Sequence, residues 1–224
     1  MSVVRLFKDL RFRLFYWWLT KPGVATRRHG AECQWTICET GLSSDSNVLC
    51  AGAGHDISFE KKLATIYGCR VVLLDPSPTG IATVEKSRLP AESLRFLPVG
   101  LAGCDGNLNF APPCDLAEGS FRGGQADATA GLQFPCRSLA SLMNEFGWRH
   151  IDLLKIDIEG CEYEVIQEIL TQNLDVRQLC VEFHHGPAFG HARGEMIRAL
   201  LSLRRAGYQL IHHVHQDHTF LRRR

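Results

Sequence analysis

Short apolar runs recur along this chain, separated by segments of helix length. The runs lie at residues 48–53 (VLCAGA), 69–74 (CRVVLL), 94–101, 151–158 (IDLLKIDI), 177–183 (RQLCVEF) and 208–214, and a last one begins at 219–221. Helical patterning falls at 56–67, 78–88, 138–146, 162–170 and 193–206. Strand alternating with helix argues a parallel sheet with helices on both faces. The runs are nearly unbroken in hydrophobicity, as strands covered on two sides must be. The fold class predicted is therefore α/β, doubly wound and mostly parallel. Ligands of such sheets bind beyond the carboxyl ends of the strands, so the residues that follow each run carry the functional weight.

Two stretches stand apart. Residues 102–134 are rich in glycine and proline and read as a long loop or an irregular hairpin, a length that is usually functional. Residues 1–33 read as an N-terminal helical segment ahead of a domain over 34–224, with a polar connection reaching residue 46. Residues 1–21 are mostly apolar, but Arg5, Lys8, Arg11 and Arg13 interrupt them. A spanning helix needs about 20 apolar residues, and a signal peptide needs an unbroken apolar stretch after its charges. Two readings remain: a helix packed on the domain, or an interfacial helix that makes weak contact with a membrane surface through Tyr16, Trp17 and Trp18.

The 224 residues suit one domain with extra segments. Lys+Arg number 25 against 24 Asp+Glu, a net charge of +1, which counts against a nucleic-acid partner. The nine cysteines are scattered without a C-x-x-C pair, so no zinc ribbon or thioredoxin-like motif is indicated. Cys50, Cys69, Cys161 and Cys180 lie in or beside apolar runs, where free thiols behave as small hydrophobes. A reducing, cytoplasmic setting is expected, peripheral to a membrane if residues 1–21 rest on one.

Four motifs carry chemistry. Gly52-Ala53-Gly54 follows the first run and precedes Asp56. Bare backbone there allows close approach of a ligand, and the next helix start offers unpaired N–H groups. A full dinucleotide fingerprint would place a small residue at Ile57, which weakens a nicotinamide reading. Asp75 closes the second run, where an acid can accept hydrogen bonds from the ribose of any adenosine ligand. Lys155, Asp157 and Glu159 share one face if residues 151–158 are a strand, and charges on a buried strand are costly unless they are paired or functional. Glu182 and His184 share parity at the end of the fifth run. With adjacent strands about 4.8 Å apart, Asp157, Glu159, Glu182 and His184 would crowd one rim. Such a group can hold a hard divalent ion or poise a general base, and the sequence assigns no metal. Trp35 and Trp148 read as core, and His212, His213, His215 and His218 as packed or solvated.

Taken in order, these segments resemble the FkbM-type branch of the class I S-adenosylmethionine-dependent methyltransferases. HIDLLKIDIEGCEYEVI (150–166) is similar to that family's IKIDVEGxE segment. VLCAGAGHDISFE (48–60), VVLLDPSP (71–78), LPVGLAGCDG (97–106) and LCVEFHH (179–185) resemble its other motifs. Many class I members have an acid at the position of Cys50, and Asp56 resembles a feature of one sub-branch. The resemblance implies a seven-stranded sheet with a reversed last strand. It implies S-adenosylmethionine over Gly52, Ala53, Gly54 and Asp56, with its ribose on Asp75, Pro76 and Ser77 flanking the adenosine, Gly100 and Leu101 walling the adenine, and Asp157 adjoining.

The resemblance also implies O-methylation of a hydroxyl on a small molecule or carbohydrate. Methyl transfer from a sulfonium needs chiefly position, while a hydroxyl acceptor must lose its proton to a base or a metal. Among Asp157, Glu159, Glu182 and His184, the expected base is His184, with Lys155 orienting its acidic neighbours. The rival readings are an NAD-dependent oxidoreductase and a catalytically degenerate module that keeps the fold for interaction.

Overall fold

The computed structural model describes residues 12–87, 92–113, 119–123 and 131–223. Residues 12–19 are helical (α1). They lead into β1 (Arg27–His29), β2 (Trp35–Ile37), β3 (Val48–Ala51), α2 (Ser58–Tyr67), β4 (Val71–Leu74), α3 (Pro78–Ser87) and β5 (Leu94–Leu97). A short middle section holds β6 (Gly100–Leu101), β7 (Gly106–Ala111), β8 (Arg122–Gly123) and β9 (Leu132–Arg137). The chain then runs through α4 (Leu139–Phe146), β10 (Ile151–Ile156), α5 (Glu162–Thr171), β11 (Val176–Glu182), α6 (Arg193–Arg205), β12 (Tyr208–Val214) and β13 (Asp217–Arg222).

The main sheet has seven strands in the order β12-β13-β11-β10-β3-β4-β5. All neighbours from β11 to β5 pair in parallel, and β13 runs antiparallel to both β11 and β12. The expected doubly wound sheet with a reversed last strand is the fold observed. Strand order turns back between β3 and β10, and that switch opens the crevice in which α/β sheets bind ligands.

Alternate residues of the central strands feed two separate cores. Leu49, Ala51, Leu154, Ile156, Leu179 and Val181 point into the larger core with α4, α5 and α6. Val48, Cys50, Leu153 and Cys180 point into the smaller one with Phe59 and Leu63 of α2 and Trp35 of β2. All four residues of β3, 48–51, are fully buried, the physical reason the runs lack polar alternation.

Three stretches differ from the sequence expectation. The polar connection before residue 46 contains the β1–β2 hairpin, which spans the boundary drawn at residue 33. Its strands have three residues each, too short to show a period of two. The run at 94–101 splits: β5 joins the main sheet and β6 joins a second sheet, ordered β6-β9-β7-β8. The 102–134 stretch therefore contributes most of a small four-stranded sheet with its own cluster around Phe110, Phe121 and Cys136.

Helix α1 has two unlike faces. Tyr16 and Leu19 are buried in the larger core, and the Tyr16 hydroxyl lies 2.7 Å from His218 Nε2. Trp17 is 79% exposed and Leu14 56%. Among the described residues no helix is long and apolar enough to cross a membrane. Residues 1–11, with Arg5, Lys8 and Arg11, lie outside the described residues.

Candidate active site at the carboxyl edge of the sheet

β3 ends in a turn that only glycine can make. Gly52 has φ 90° and Gly54 φ 50°, and a Cβ at Gly52 would run into the Asp157 backbone carbonyl. Left-handed backbone together with this close approach excludes a side chain. The turn wraps a neighbouring carboxylate: Asp75 Oδ2 accepts from Ala53 N at 2.8 Å and Gly54 N at 3.1 Å. Asp75 Oδ1 accepts from Ser77 N at 2.8 Å. A carboxylate offers about four lone-pair sites, so the described residues fill three and leave one, on Oδ1. The grip expected of Asp75 on a ribose is therefore limited to one oxygen.

Ser77 and Asp56 have structural duties that their motifs did not reveal. Ser77 is buried, and its Oγ accepts from Gly80 N at 3.0 Å, securing the start of α3. The Asp56 carboxylate accepts from Glu32 N, Cys33 N, Ser58 N and Ser58 Oγ. It thus ties residues 32–33 to the start of α2, and its capacity to hold a ligand directly is largely spent. Burial works against its ionised form, but these hydrogen bonds outweigh it and hold the carboxyl below its usual range.

A cavity of about 370 Å³ opens over the turn. Gly52–Gly54 and Asp75–Ser77 form one side, Gly100 and Leu101 another, and Asp157 to Glu159 the far end. Phe110, Phe121 and Phe134 come from the second sheet and its connections, so the 102–134 stretch forms a wall of the cavity.

At the far end the acidic cluster assembles, by a route other than strand parity. β10 stops at Ile156, and Glu159 reaches the rim through a turn in which it has φ 55° and Gly160 φ 113°. His184 is 5% exposed. Its Nε2 faces Glu159 Oε2 at 3.5 Å, Glu182 Oε1 at 3.8 Å and Asp157 Oδ1 at 3.9 Å. Its Nδ1 lies 2.6 Å from Glu162 Oε1. Glu162 is fully buried and accepts from Gly160 N and Ile158 N. The parity argument missed Glu162 because it lies on α5; the signal for it was an acid in the first turn of the helix that follows the motif.

Burial opposes a charged His184, but the hydrogen bond and charge of Glu162, with Glu159 and Glu182, push the imidazole up to about 10. It thus carries its proton at neutral pH. That lift works against the role of base expected of His184, because an imidazolium cannot accept a proton. Burial and then the Asp157 carboxylate push Glu182 up to about 8. Burial raises Glu159 as well.

Lys155 does not reach the rim. It is 2% exposed, and its Nζ donates to Gly52 O at 2.5 Å and sits 3.7 Å from Asp157 Oδ2. Burial would depress its pKa, but Asp157 and Glu60 outweigh burial and hold the ammonium above its ordinary range. Glu60, 2% exposed on α2, is a second acid absent from the sequence expectation. Lys155 braces the back of the glycine turn, with the Glu60 charge favouring its ammonium.

A family model described as "Methyltransferase FkbM domain" matches residues 43–210. The chain belongs to the FkbM methyltransferase family. It carries a methyltransferase domain of the S-adenosylmethionine-dependent kind, as its motifs led one to expect. Among curated relatives of this FkbM chain is "Probable methyltransferase-like protein 24" of Rattus norvegicus, 34% identical over 199 residues. That match covers 85% of this chain and 45% of the rat protein, so the chain spans about half the length of its relative. The Homo sapiens protein of the same name is 39% identical over 56 residues, 24% of this chain and 15% of its own. Among solved structures, the Methanococcus jannaschii fibrillarin pre-rRNA processing protein aligns with TM-score 0.45 and 10% identity, over 80% of this chain and 67% of that one. The METTL16 MTase domain aligns with TM-score 0.44 and 10% identity, over 82% and 63%. These likenesses are too remote to bear on function.

Proposed function

We propose that this FkbM chain transfers a methyl group from S-adenosylmethionine to a hydroxyl of a small molecule or carbohydrate. The observation that carries the reading is one cavity that joins the glycine turn and Asp75 at one end to Asp157 and Glu159 at the other. The residues present fit an adenosyl ligand: bare backbone at 52–54, one open lone-pair site on Asp75, and apolar walls from Leu101 and Phe121. When bound, S-adenosylmethionine supplies a methyl group already activated as a sulfonium.

The remaining work belongs to the chain. Gly52–Gly54 and Asp75 fix the donor, and the second sheet lends the cavity an apolar wall. An acceptor hydroxyl entering beside Asp157 meets carboxylates that can take its proton, while the His184 imidazolium balances their charge. The nicotinamide alternative has no support here, because Ile57 is 3% exposed and packed in the smaller core where a small residue would be needed. Exposed Trp17 and Trp18 support weak seating on a membrane surface, and the free cysteines support a reducing, cytoplasmic setting.

Calorimetric titration with S-adenosylhomocysteine tests the reading. A Kd in the micromolar range is expected, weakened at least tenfold in Asp75→Ala. A folded chain that takes up none at millimolar ligand would sink the proposal. A screen of hydroxylated small molecules and sugars for methylated product then tests the acceptor class.

A further inference from the structure

We propose that Asp157, Glu182 and His184 form a divalent-cation site at the acceptor end of the cavity, with Glu162 positioning the imidazole. The inference deepens the proposed function, on which its role in catalysis rests. One ligand atom from each of the three residues lies within 4.8 Å of the others. That spacing suits a single ion bound to all three, since carboxylate oxygens sit about 2.0–2.6 Å from a hard cation.

A second observation points to the same place from the imidazole. His184 is 95% buried by its 5% exposure, and its Nε2 is aimed at the carboxylates. Their nearest oxygens are 3.5, 3.8 and 3.9 Å away, beyond a good hydrogen bond. The other nitrogen is fixed at 2.6 Å from Glu162. Glu162 is itself held by the Ile158 and Gly160 amides. A histidine whose far nitrogen is locked to a carboxylate is the usual supporting arrangement of a metal ligand.

The charge balance favours the same occupant. Glu182 pairs in register with Asp217, so a further acid borders the group. Lys155, the nearby ammonium, is spent on Gly52 O and on the far oxygen of Asp157. Among the described residues carboxylates outnumber cations at the rim, and a divalent ion corrects that excess. Two oxygens and one imidazole nitrogen, which gives up its proton to the solvent as the ion binds, suit Mn²⁺ or Mg²⁺ with open positions for water or substrate. Asp157 and Glu159 also line the cavity, so an open position would face the acceptor. There the ion would hold the acceptor oxygen and lower its pKa.

The test uses the full chain and Mn²⁺. Loss of the free Mn²⁺ electron paramagnetic resonance signal is expected to report one bound ion per chain. Glu182→Gln should weaken binding by ten- to a hundredfold, and Glu162→Gln by about tenfold, with S-adenosylhomocysteine affinity within twofold of wild type. Mg²⁺ should compete for the site. Wild type that binds S-adenosylhomocysteine but not millimolar Mn²⁺ would overturn the cation site and leave the proposed function standing. Mn²⁺ binding without S-adenosylhomocysteine binding would support the site and overturn that function. If Glu182→Gln fails to fold, His184→Asn takes its place. Undiminished Mn²⁺ binding in a folded variant would overturn the assignment to these residues.

Discussion

Single residues at the glycine turn carry more than their size suggests. At Gly52 a methyl group would meet the Asp157 carbonyl, and the backbone is left-handed. Gly52→Ala is therefore expected to push the turn away from β10 and weaken S-adenosylhomocysteine binding at least tenfold by calorimetry. Unchanged affinity would mean that the turn does not approach the donor closely. Lys155 is the residue behind it. Lys155→Met would leave Glu60 and Asp157 without their buried counter-charge. Removing one partner of such a group costs roughly 3–5 kcal/mol, to be read as a fall in the urea midpoint. A shift of less than a tenth of that would show that the ammonium is not needed to brace the turn. Both residues were visible as motif members, but their purpose was not. The reach of Nζ to a carbonyl 103 positions away depends on β10 lying beside β3.

At the scale of elements, the join between α1 and β13 is sensitive to pH. His218 is fully buried, bonded to Tyr16 at Nε2 and to Gln216 O at Nδ1. Burial, with smaller effects from His213, His185 and His212, pushes its pKa down to about 4, against a partial lift from Gln216. Above about pH 6.5 the group is neutral in both folded and unfolded chains, and no stability is lost. As pH falls below 6.5 the unfolded chain takes up the proton first. Stability attributable to this group therefore drains away between pH 6.5 and 4, by roughly 3 kcal/mol at most. The difference between wild type and His218→Asn in chemical denaturation should show that slope, and a flat difference would refute a neutral buried imidazole. Tyr16→Phe should cost about 1 kcal/mol by leaving Nε2 unpaired. The sequence placed His218 only as packed or solvated; its partner lies 202 residues away.

The whole molecule couples its parts through the cavity. β3 and β4 lead into the turn and Asp75, β10 leads into Asp157 and Glu159, and the second sheet forms one side. A ligand that touches all of them should stabilise the fold as a unit. At a hundredfold excess over Kd, S-adenosylhomocysteine should add about 2.7 kcal/mol. That corresponds to a Tm rise of roughly 5–10 °C for a chain of this size. No rise in a sample shown to bind would mean that the cavity unfolds separately from the sheet.

What the amino-acid order determined by itself was the strand-and-helix alternation, the parallel sheet and the places where chemistry follows a strand. Those follow from local hydrophobic pattern, because burial on two faces dictates composition residue by residue. Only the tertiary structure decided that Glu162 and not a strand neighbour fixes His184, that Asp56 and Ser77 serve the backbone, and that the glycine-rich middle folds as a second sheet. Apart from the local Ser77–Gly80 and Asp56–Ser58 bonds, these depend on contacts between elements distant in the chain. Whether a carboxylate is free, paired or saturated is set by which N–H groups the packed elements bring to it, a quantity no local pattern contains.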